Sequence, residues 1–429
     1  MKLLVVSWGD FKKWGDVKYR FGEQVLESRS TLPILKKSIN PDRIVIVLPD
    51  TLGKDFSSPE AIREDVAGKV REFLKEIDIK NGVDVVIVPG IGNFSHGSFK
   101  GSAMDAYYIV LHQLVHIIPT EEHIDAHFDS THGLNYITLL TYRALKELLG
   151  IAAITNDVHF TVYNSDPYVP KVTEELTINV IEKVSITPEP LSESLPGDSG
   201  YIERYDMPLE EFITLKQSLS SLKRVRSLKK DLDAWIGSLF FGLPLLFLET
   251  FPEELEIEEI IQELLETWES KVEVGRNYVI RRLSLSHGFG TLVKLLFEIK
   301  ATKDATVDEP YSIGKLYRLS ERLFRGSTRE RIKVELGKIE DKGIEYAKEG
   351  KFMSWTSLRE FLKYDKANKQ ITPRNFLAHA GLEANSVEVS MEPFNEKDIA
   401  RTVREHIFLR YSKDHMEEIK KIVSKALKD

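Results

Sequence analysis

The chain has 429 residues, enough for two or three domains, and its 42% hydrophobic content fills real cores, which excludes a disordered or fibrous protein. A formal net charge of −8 excludes a surface coated in positive charge, so any nucleic-acid contact has to come from local patches. The lack of cysteine excludes disulfides, thiolate metal sites and cysteine nucleophiles together.

The opening "MKLLVVSWGD" is interrupted by Trp8, Gly9 and Asp10 before it reaches the length of a signal-peptide core. The most apolar later run, Ile236 to Leu248, contains Gly237, Gly242 and Pro244 and is too short to span a bilayer. A cytoplasmic protein with no membrane partner is expected. Its Lys- and Glu-rich composition resembles that of proteins from hot environments, and a thermophilic protein is expected.

Short β-branched runs then alternate with helical patterns. "KLLVVS" (Lys2–Ser7), "RIVIVLP" (Arg43–Pro49) and "VDVVIVP" (Val83–Pro89) read as strands covered on both faces. Helical spacing over Tyr19–Ser38 and Pro59–Ile77 separates them. A helix over Ala103–Ile118 precedes a fourth strand, "HIDAHFD" (His123–Asp129), and a helix over Leu134–Leu149 precedes "IAAIT" (Ile151–Thr155). This order predicts an α/β region, a doubly wound Rossmann-like parallel sheet, closed by an antiparallel pair over His159–Tyr163 and Glu174–Val184. The fourth strand alternates His123, Asp125 and His127 with Ile124, Ala126 and Phe128, so one of its faces is not an ordinary core face.

"SITPEPLSESLPGDSG", Ser185–Gly200, is rich in Pro, Ser and Gly and marks a junction. The expected domains are 1–185, a connecting loop at 186–207, and an all-α region over 208–429. Helices are predicted over Pro208–Arg226, Leu228–Phe247, Glu253–Ser270, Asn277–Ile299, Ser312–Tyr346, Trp355–Tyr364, Pro373–Leu382 and Glu396–Leu427.

In an open parallel sheet, ligands collect at the carboxyl ends of the strands. The loops there hold Ser7, Trp8 and Gly9 after strand one, "PGIGNFSHG" with Gly90, Gly92 and Asn93 after strand three, and "DSTHGLN" (Asp129–Asn135) after strand four. Gly90 and Gly92 allow a backbone to approach a phosphate, while Thr131, His132 and Asn135 offer donors at a helix start. Ordinary βα turns use the same residue types. A dinucleotide-binding enzyme is the competing reading, but the first βα turn lacks G-x-G-x-x-G.

His112 and His116 are four apart, as are His123 and His127, and His132 follows. A metalloprotease helix needs glutamate where Gln113 stands, so packing or surface histidines are expected, with no metal and no cofactor.

Arg-x-x-x-x-His occurs four times, at Arg282/His287, Arg374/His379, Arg401/His406 and Arg410/His415. The first precedes two glycines, and the last two lie in a charged stretch where Glu396, Asp398, Glu405 and Asp414 offer ion-pair partners to Arg401, Arg404 and Arg410. In "TPRNFLAHAG", Thr372 and Pro373 form an N-cap and first-turn proline, placing Arg374 and Asn375 in the first turn with His379 beyond. Phe376 and Leu377 can anchor this helix, and small Ala378, Ala380 and Gly381 leave room beside the histidine. Positions five apart are separated by about 140° around a helix, so two copies meeting about a two-fold axis would pool their pairs. Such a cleft can cleave RNA without a metal. Imidazole moves the protons while a 2′-hydroxyl attacks phosphorus, guanidinium holds the phosphoryl oxygens, and Asn375 orients either.

The sequence resembles CRISPR-associated ribonucleases that join an N-terminal CARF sensor to a C-terminal helical HEPN nuclease. "DSTHGLN" is similar to the CARF signature Asp-x-Thr-His-Gly-x-Asn, "RNFLAH" to the HEPN Arg-polar-x-x-x-His motif, and the sheet-then-helices order matches. The resemblance implies a cyclic oligoadenylate made by a type III CRISPR complex, cyclic tetra-adenylate favoured, bound across a CARF dimer and activating a HEPN dimer against single-stranded RNA. It assigns Arg374 and His379 to catalysis with Asn375 in support, and Thr131, His132, Gly133 and Asn135 to the cyclic nucleotide. Ser7, Trp8, Gly9, Gly92 and Asn93 join them from the strand-end argument. Basic stretches at Lys223–Lys230, Arg276–Arg282 and Arg318–Lys333 could guide RNA. A homodimer or higher oligomer is expected. The alternative is a non-catalytic nucleotide sensor whose helical half binds RNA or a protein.

Overall fold

The computed structural model describes all residues except 80–81, 121–122, 170–171, 198–199, 365–369, 395–397 and 429. The chain packs as two compact units, the first from Met1–Glu189, Pro196–Lys223 and Glu256–Phe297, the second from Pro190–Leu195, Arg224–Leu255 and Glu298–Asp429. The composition change at 186–207 therefore marks the first passage between units and not a single boundary. Two later segments return to the first unit and complete its smaller sheets.

The first unit begins with β1 (Lys2–Ser7), the hairpin of β2 (Val17–Phe21) and β3 (Gln24–Ser28), α1 (Leu32–Ile39), β4 (Arg43–Pro49), α2 (Pro59–Glu76) and β5 (Val83–Val88). A second hairpin, β6 (Gly92–Phe94) and β7 (Gly97–Lys100), leads to α3 (Met104–Val115), β8 (Ile124–Asp129), α4 (Asn135–Ala152), β9 (Val158–Ser165) and β10 (Glu175–Ser185). Eight strands form one sheet in the order β3-β2-β10-β9-β8-β1-β4-β5. Strands β9, β8, β1, β4 and β5 are mutually parallel, and β10 runs antiparallel to β9 as the sequence predicts. Leu4, Val6, Ile44 and Ile46 pack one face against Leu35 of α1 and Val66, Val70 and Phe73 of α2. On the other face Tyr142 of α4 lies against Phe128 and Phe160. Helices on both faces explain why β1 and β4 are continuous apolar runs.

Two expectations in this half are corrected. Tyr19–Ser38 is not one helix: the chain reverses at Gly22, whose φ of +59° suits glycine, and only Leu32–Ile39 is helical. Ile151–Thr155 is not a strand, because α4 continues to Ala152 and its buried apolar stripe includes Ile151.

The chain continues through β11 (Ile202–Arg204), α5 (Leu209–Ser218), α6 (Ser220–Phe241), α7 (Pro244–Glu249), α8 (Glu254–Ser270), β12 (Val272–Gly275), β13 (Tyr278–Arg281), β14 (Leu283–Leu285) and α9 (His287–Thr302). Strands β12 and β13 extend the β6-β7 hairpin to four strands, and β14 pairs with β11. The helix expected over Asn277–Ile299 thus starts only at His287. Val279, Arg281, Leu283 and Leu285 are all buried, the period of a strand. Arg281 is tolerated there because it pairs with Asp50 and donates to the Gly90 carbonyl at 3.0 Å.

The second unit adds β15 (Tyr311–Ser312), α10 (Ile313–Leu323), α11 (Gly326–Lys348), β16 (Met353–Ser357), α12 (Leu358–Phe361), α13 (Pro373–Ala378), β17 (Val387–Met391), α14 (Ile399–His406), β18 (Ile407–Tyr411) and α15 (Met416–Ala426). Helices α10, α11 and α14 pack together, and an antiparallel sheet runs β15-β18-β17-β16. The unit is mainly helical but not all-α: Glu396–Leu427 contains a strand, and Ser312–Tyr346 is broken between α10 and α11. Among the described residues no helix is long and apolar enough to cross a membrane.

Candidate functional site

The turn after β8 is organised by Asp129, buried at the strand end. Its carboxylate accepts from the Thr31 hydroxyl, from the Thr131 hydroxyl at 2.6 Å and from the Thr131 N–H at 3.0 Å. This holds His132 against Trp14, ring centroids 4.1 Å apart, while its Nε2 accepts from the Thr31 N–H and the Tyr19 hydroxyl, each at 3.3 Å. Two donors on Nε2 place the ring proton on Nδ1. Burial lowers the pKa of His132, opposed by the charge of Asp129, so the neutral ring is favoured.

Beside this ring opens a cavity of about 550 Å³, lined by Trp14, Tyr19, Arg29, Thr131, His132 and Tyr168 among others. Arg29 is held there, donating to the Trp14 carbonyl at 3.0 Å with its guanidinium carbon 4.7 Å from the Phe73 ring centroid. Lys13 adds a second, exposed cation, ion-paired with Asp10 at 2.8 Å, just as Arg29 pairs with Glu76. Aromatic faces beside two cations suit bases and phosphates.

Of the predicted ligand residues, Thr131 and His132 line this cavity. Ser7, Gly9 and Gly133 shape the turn instead. Ser7 Oγ lies 3.1 Å from Thr138 Oγ1, the Gly9 N–H donates to the His132 carbonyl at 2.8 Å, and a Cβ on Gly133 would stand 1.8 Å from Thr138 Oγ1. Asn135 is exposed in the first turn of α4. Trp8 is corrected: it is fully buried among Phe11, Trp14 and Phe73, so its side chain is core. Gly92 and Asn93 lie on β6, where Asn93 accepts from Ser98 Oγ at 2.6 Å. Asp129 opens the "DSTHGLN" stretch already singled out, whereas Trp14, Tyr19, Arg29 and Tyr168 were missed, because segments around the β2-β3 hairpin and after β9 carry no motif.

The polar face of the fourth strand is also explained. His127 is buried, its Nδ1 2.9 Å from the Tyr163 hydroxyl and its Nε2 3.3 Å from Asp125.

In the second unit α13 begins as predicted, with the Thr372 hydroxyl accepting from the Asn375 N–H and Pro373 in the first turn. It is shorter than expected. The helix ends at Ala378 and His379 caps it, followed by Ala380 and Gly381 at φ 53° and 75°. Phe376 is fully buried as the anchor, whereas Arg374 and Asn375 are exposed. The space beside Gly381 is filled by Tyr411, whose hydroxyl donates to the Gly381 carbonyl at 3.0 Å, and Ala380 is buried.

The residue that sequence reasoning missed is Glu335, on α11. Its Oε1 lies 3.2 Å from His379 Nδ1; the carboxylate is 12% exposed, the imidazole 45%. A carboxylate this close to Nδ1 favours the tautomer with its proton there. Lys338 also donates to Glu335 at 2.8 Å, and Arg331 stands one turn earlier, with its own pKa lowered by burial and partly restored by Glu335. No local spacing could reveal a partner so far from His379 in the chain.

The other Arg/His copies are engaged elsewhere. Arg282 donates to the Asp206 carbonyl, His406 stacks on Phe394, Arg410 pairs with Glu388, and His415 lies near Glu418. Arg404 pairs with Glu340 and Glu405 with Arg318, not with the neighbours expected; Glu396 and the side chain of Arg401 lie outside the described residues. The three basic stretches are partly consumed as well, Lys230 by Glu417, Arg281 by Asp50 and Lys333 by Glu321.

Comparison with known proteins agrees with this division. Residues 3–167 match the family model described as the CARF domain of the CRISPR system endoribonuclease Csx1, and residues 326–413 match its HEPN domain. The CRISPR system endoribonuclease Csx1 of Methanocaldococcus jannaschii is 30% identical over 436 aligned residues, covering 97% of this chain and 92% of that protein. With the CARF match spanning the His132 turn and the HEPN match containing both Glu335 and His379, the chain belongs to the Csx1 family of CRISPR-associated CARF–HEPN endoribonucleases.

Proposed function

We propose that this chain is a metal-independent endoribonuclease that cleaves single-stranded RNA and is switched on by a cyclic oligoadenylate, cyclic tetra-adenylate being favoured. The observation that carries the reading is the exposed Arg374 and Asn375 and the half-buried His379 on one short segment, with His379 beside the largely buried Glu335.

In the proposed reaction His379 Nε2 takes the proton of a 2′-hydroxyl, whose oxygen attacks the adjacent phosphorus. The bond from phosphorus to the 5′-oxygen breaks, and that oxygen leaves with a proton from the imidazolium of a second copy, giving a 2′,3′-cyclic phosphate and a 5′-hydroxyl. Arg374 offsets charge on the non-bridging oxygens and Asn375 orients the phosphate. Protons and bonds balance without a metal. The spacing of Arg374 and His379 favours a two-fold dimer in which two copies of α13 complete one cleft.

The activator would place adenines on Trp14 and Tyr168 and phosphates toward Lys13, Arg29 and the first N–H groups of α4. It activates only by binding one dimer arrangement more tightly than another. The test is single-stranded RNA cleavage in EDTA, with and without cyclic oligoadenylates of several ring sizes. Cleavage with one ring size and its loss in His379→Ala, with activator binding retained, is expected. Cleavage that persists in His379→Ala sinks the site, and no cleavage with any ring sinks the activity.

A further inference from the structure

The sequence predicts no metal site, but folding brings together three donors that no spacing rule groups. His123, just before β8, and Asp157 and His159, at the start of β9, offer atoms that all lie within 4.8 Å of one another. Asp157 Oδ2 is 3.4 Å from His123 Nδ1 and 3.5 Å from His159 Nε2.

Those distances are informative. Both exceed the roughly 2.7–3.2 Å of a good hydrogen bond, and two imidazoles converge on one oxygen. A cation bonded at about 2.0–2.2 Å to nitrogen and oxygen in tetrahedral geometry holds its ligand atoms about 3.4 Å apart. The carboxylate–imidazole edges already have that length. Rotation of the two exposed rings sets the remaining edge.

The surroundings fit the same chemistry. Ser185, opposite His159 in the β10-β9 pairing, lies with its Oγ 3.1 Å from His159 Nδ1. In the tautomer whose Nδ1–H donates to Ser185 Oγ, the Nε2 lone pair faces Asp157, and the serine is then the outer partner of a metal-bound histidine. Asp125, opposite His159 on β8, is turned to His127, which leaves the fourth position to water. The side chains of His123, Asp157 and His159 are 53%, 73% and 45% exposed, so an ion has free entry.

We infer that His123, Asp157 and His159 form a site for a borderline divalent cation of the Zn²⁺ class, clamping the first residues of β8 and β9. The ligands lie in the CARF unit and take no part in the proposed RNA chemistry, so the site is read by binding alone.

The full chain, stripped with EDTA and dialysed, is titrated with Zn²⁺ by calorimetry without RNA or activator. A competing pair is His112 and His116, whose Nε2 atoms lie 3.4 Å apart on the α3 end. Uptake that is lost in both His159→Ala and Asp157→Asn, weakened about tenfold or more in Ser185→Ala and kept in His116→Ala is expected. The exposed positions leave folding intact, which circular dichroism checks. No uptake by the wild type, or uptake that survives His159→Ala and vanishes in His116→Ala, overturns the assignment.

Discussion

His379 Nδ1 lies 3.2 Å from Oε1 of Glu335, a carboxylate on α11 that is only 12% exposed. At that distance the carboxylate favours a proton on Nδ1 over one on Nε2. Glu335→Gln keeps the shape but no longer favours a proton on Nδ1, so single-turnover RNA cleavage should fall about 10²-fold or more with little change in RNA affinity. Equal rates for wild type and variant would reduce Glu335 to a packing residue.

At the sensor end, Tyr168 offers the cleanest test of base stacking, because it lines the cavity while 57% exposed and so contributes little to the core. Base–aromatic stacking is worth about 1–3 kcal/mol, so Tyr168→Ala should raise the cyclic oligoadenylate concentration for half-activation about tenfold. Its thermal midpoint should not move. Unchanged activation would remove Tyr168 from the ligand site.

How much of this was legible follows from where the signals lie. β1 and β4 were readable because helices bury both their faces, so hydrophobicity alone marks them. The "DSTHGLN" and "RNFLAH" stretches stood out because each gathers its polar residues into one short turn. The β13–β14 segment and β18 were misread as helix although burial alternates along β13 and β18; β14 is buried at every position. Arg281 at a buried position of β13 and Phe408 at an outward position of β18 masked the period of two. Glu335, Trp14 and Asp157 gain their roles only from tertiary neighbours, which no local pattern encodes.

Acid should weaken the sensor in a defined way. Burial holds the pKa of His132 below its ordinary value of about 6.5. The folded state therefore binds fewer protons than the unfolded chain as pH falls through that range. The stabilisation is full above about pH 6.5 and is lost on acidification toward the lower folded value. His127, also lowered by burial, adds a term of the same sign. Asp105, pushed up to about 6 by burial, acts oppositely and loses stabilisation as pH rises through its folded value. The difference in thermal midpoint between wild type and His132→Asn isolates the first term. It should shrink from about pH 8 to about pH 5, and a constant difference would assign His132 no linked proton.

Gly133 tests whether the turn depends on close packing rather than on a special backbone angle. A Cβ there would stand 1.8 Å from Thr138 Oγ1 and 2.6 Å from Ser7 Oγ, both on rigid elements, so the turn itself has to move. Overpacking of this kind costs about 1–3 kcal/mol, and because the Gly9 N–H is bonded to the His132 carbonyl, the displacement reaches the ring that lines the cavity. Gly133→Ala should therefore lower both thermal stability and activator affinity. Adding Thr138→Ala removes the nearer obstacle and should restore part of each. If the double variant is no better than the single one, the clash is not the cause, and Gly133 would instead be required for the approach of the ligand itself.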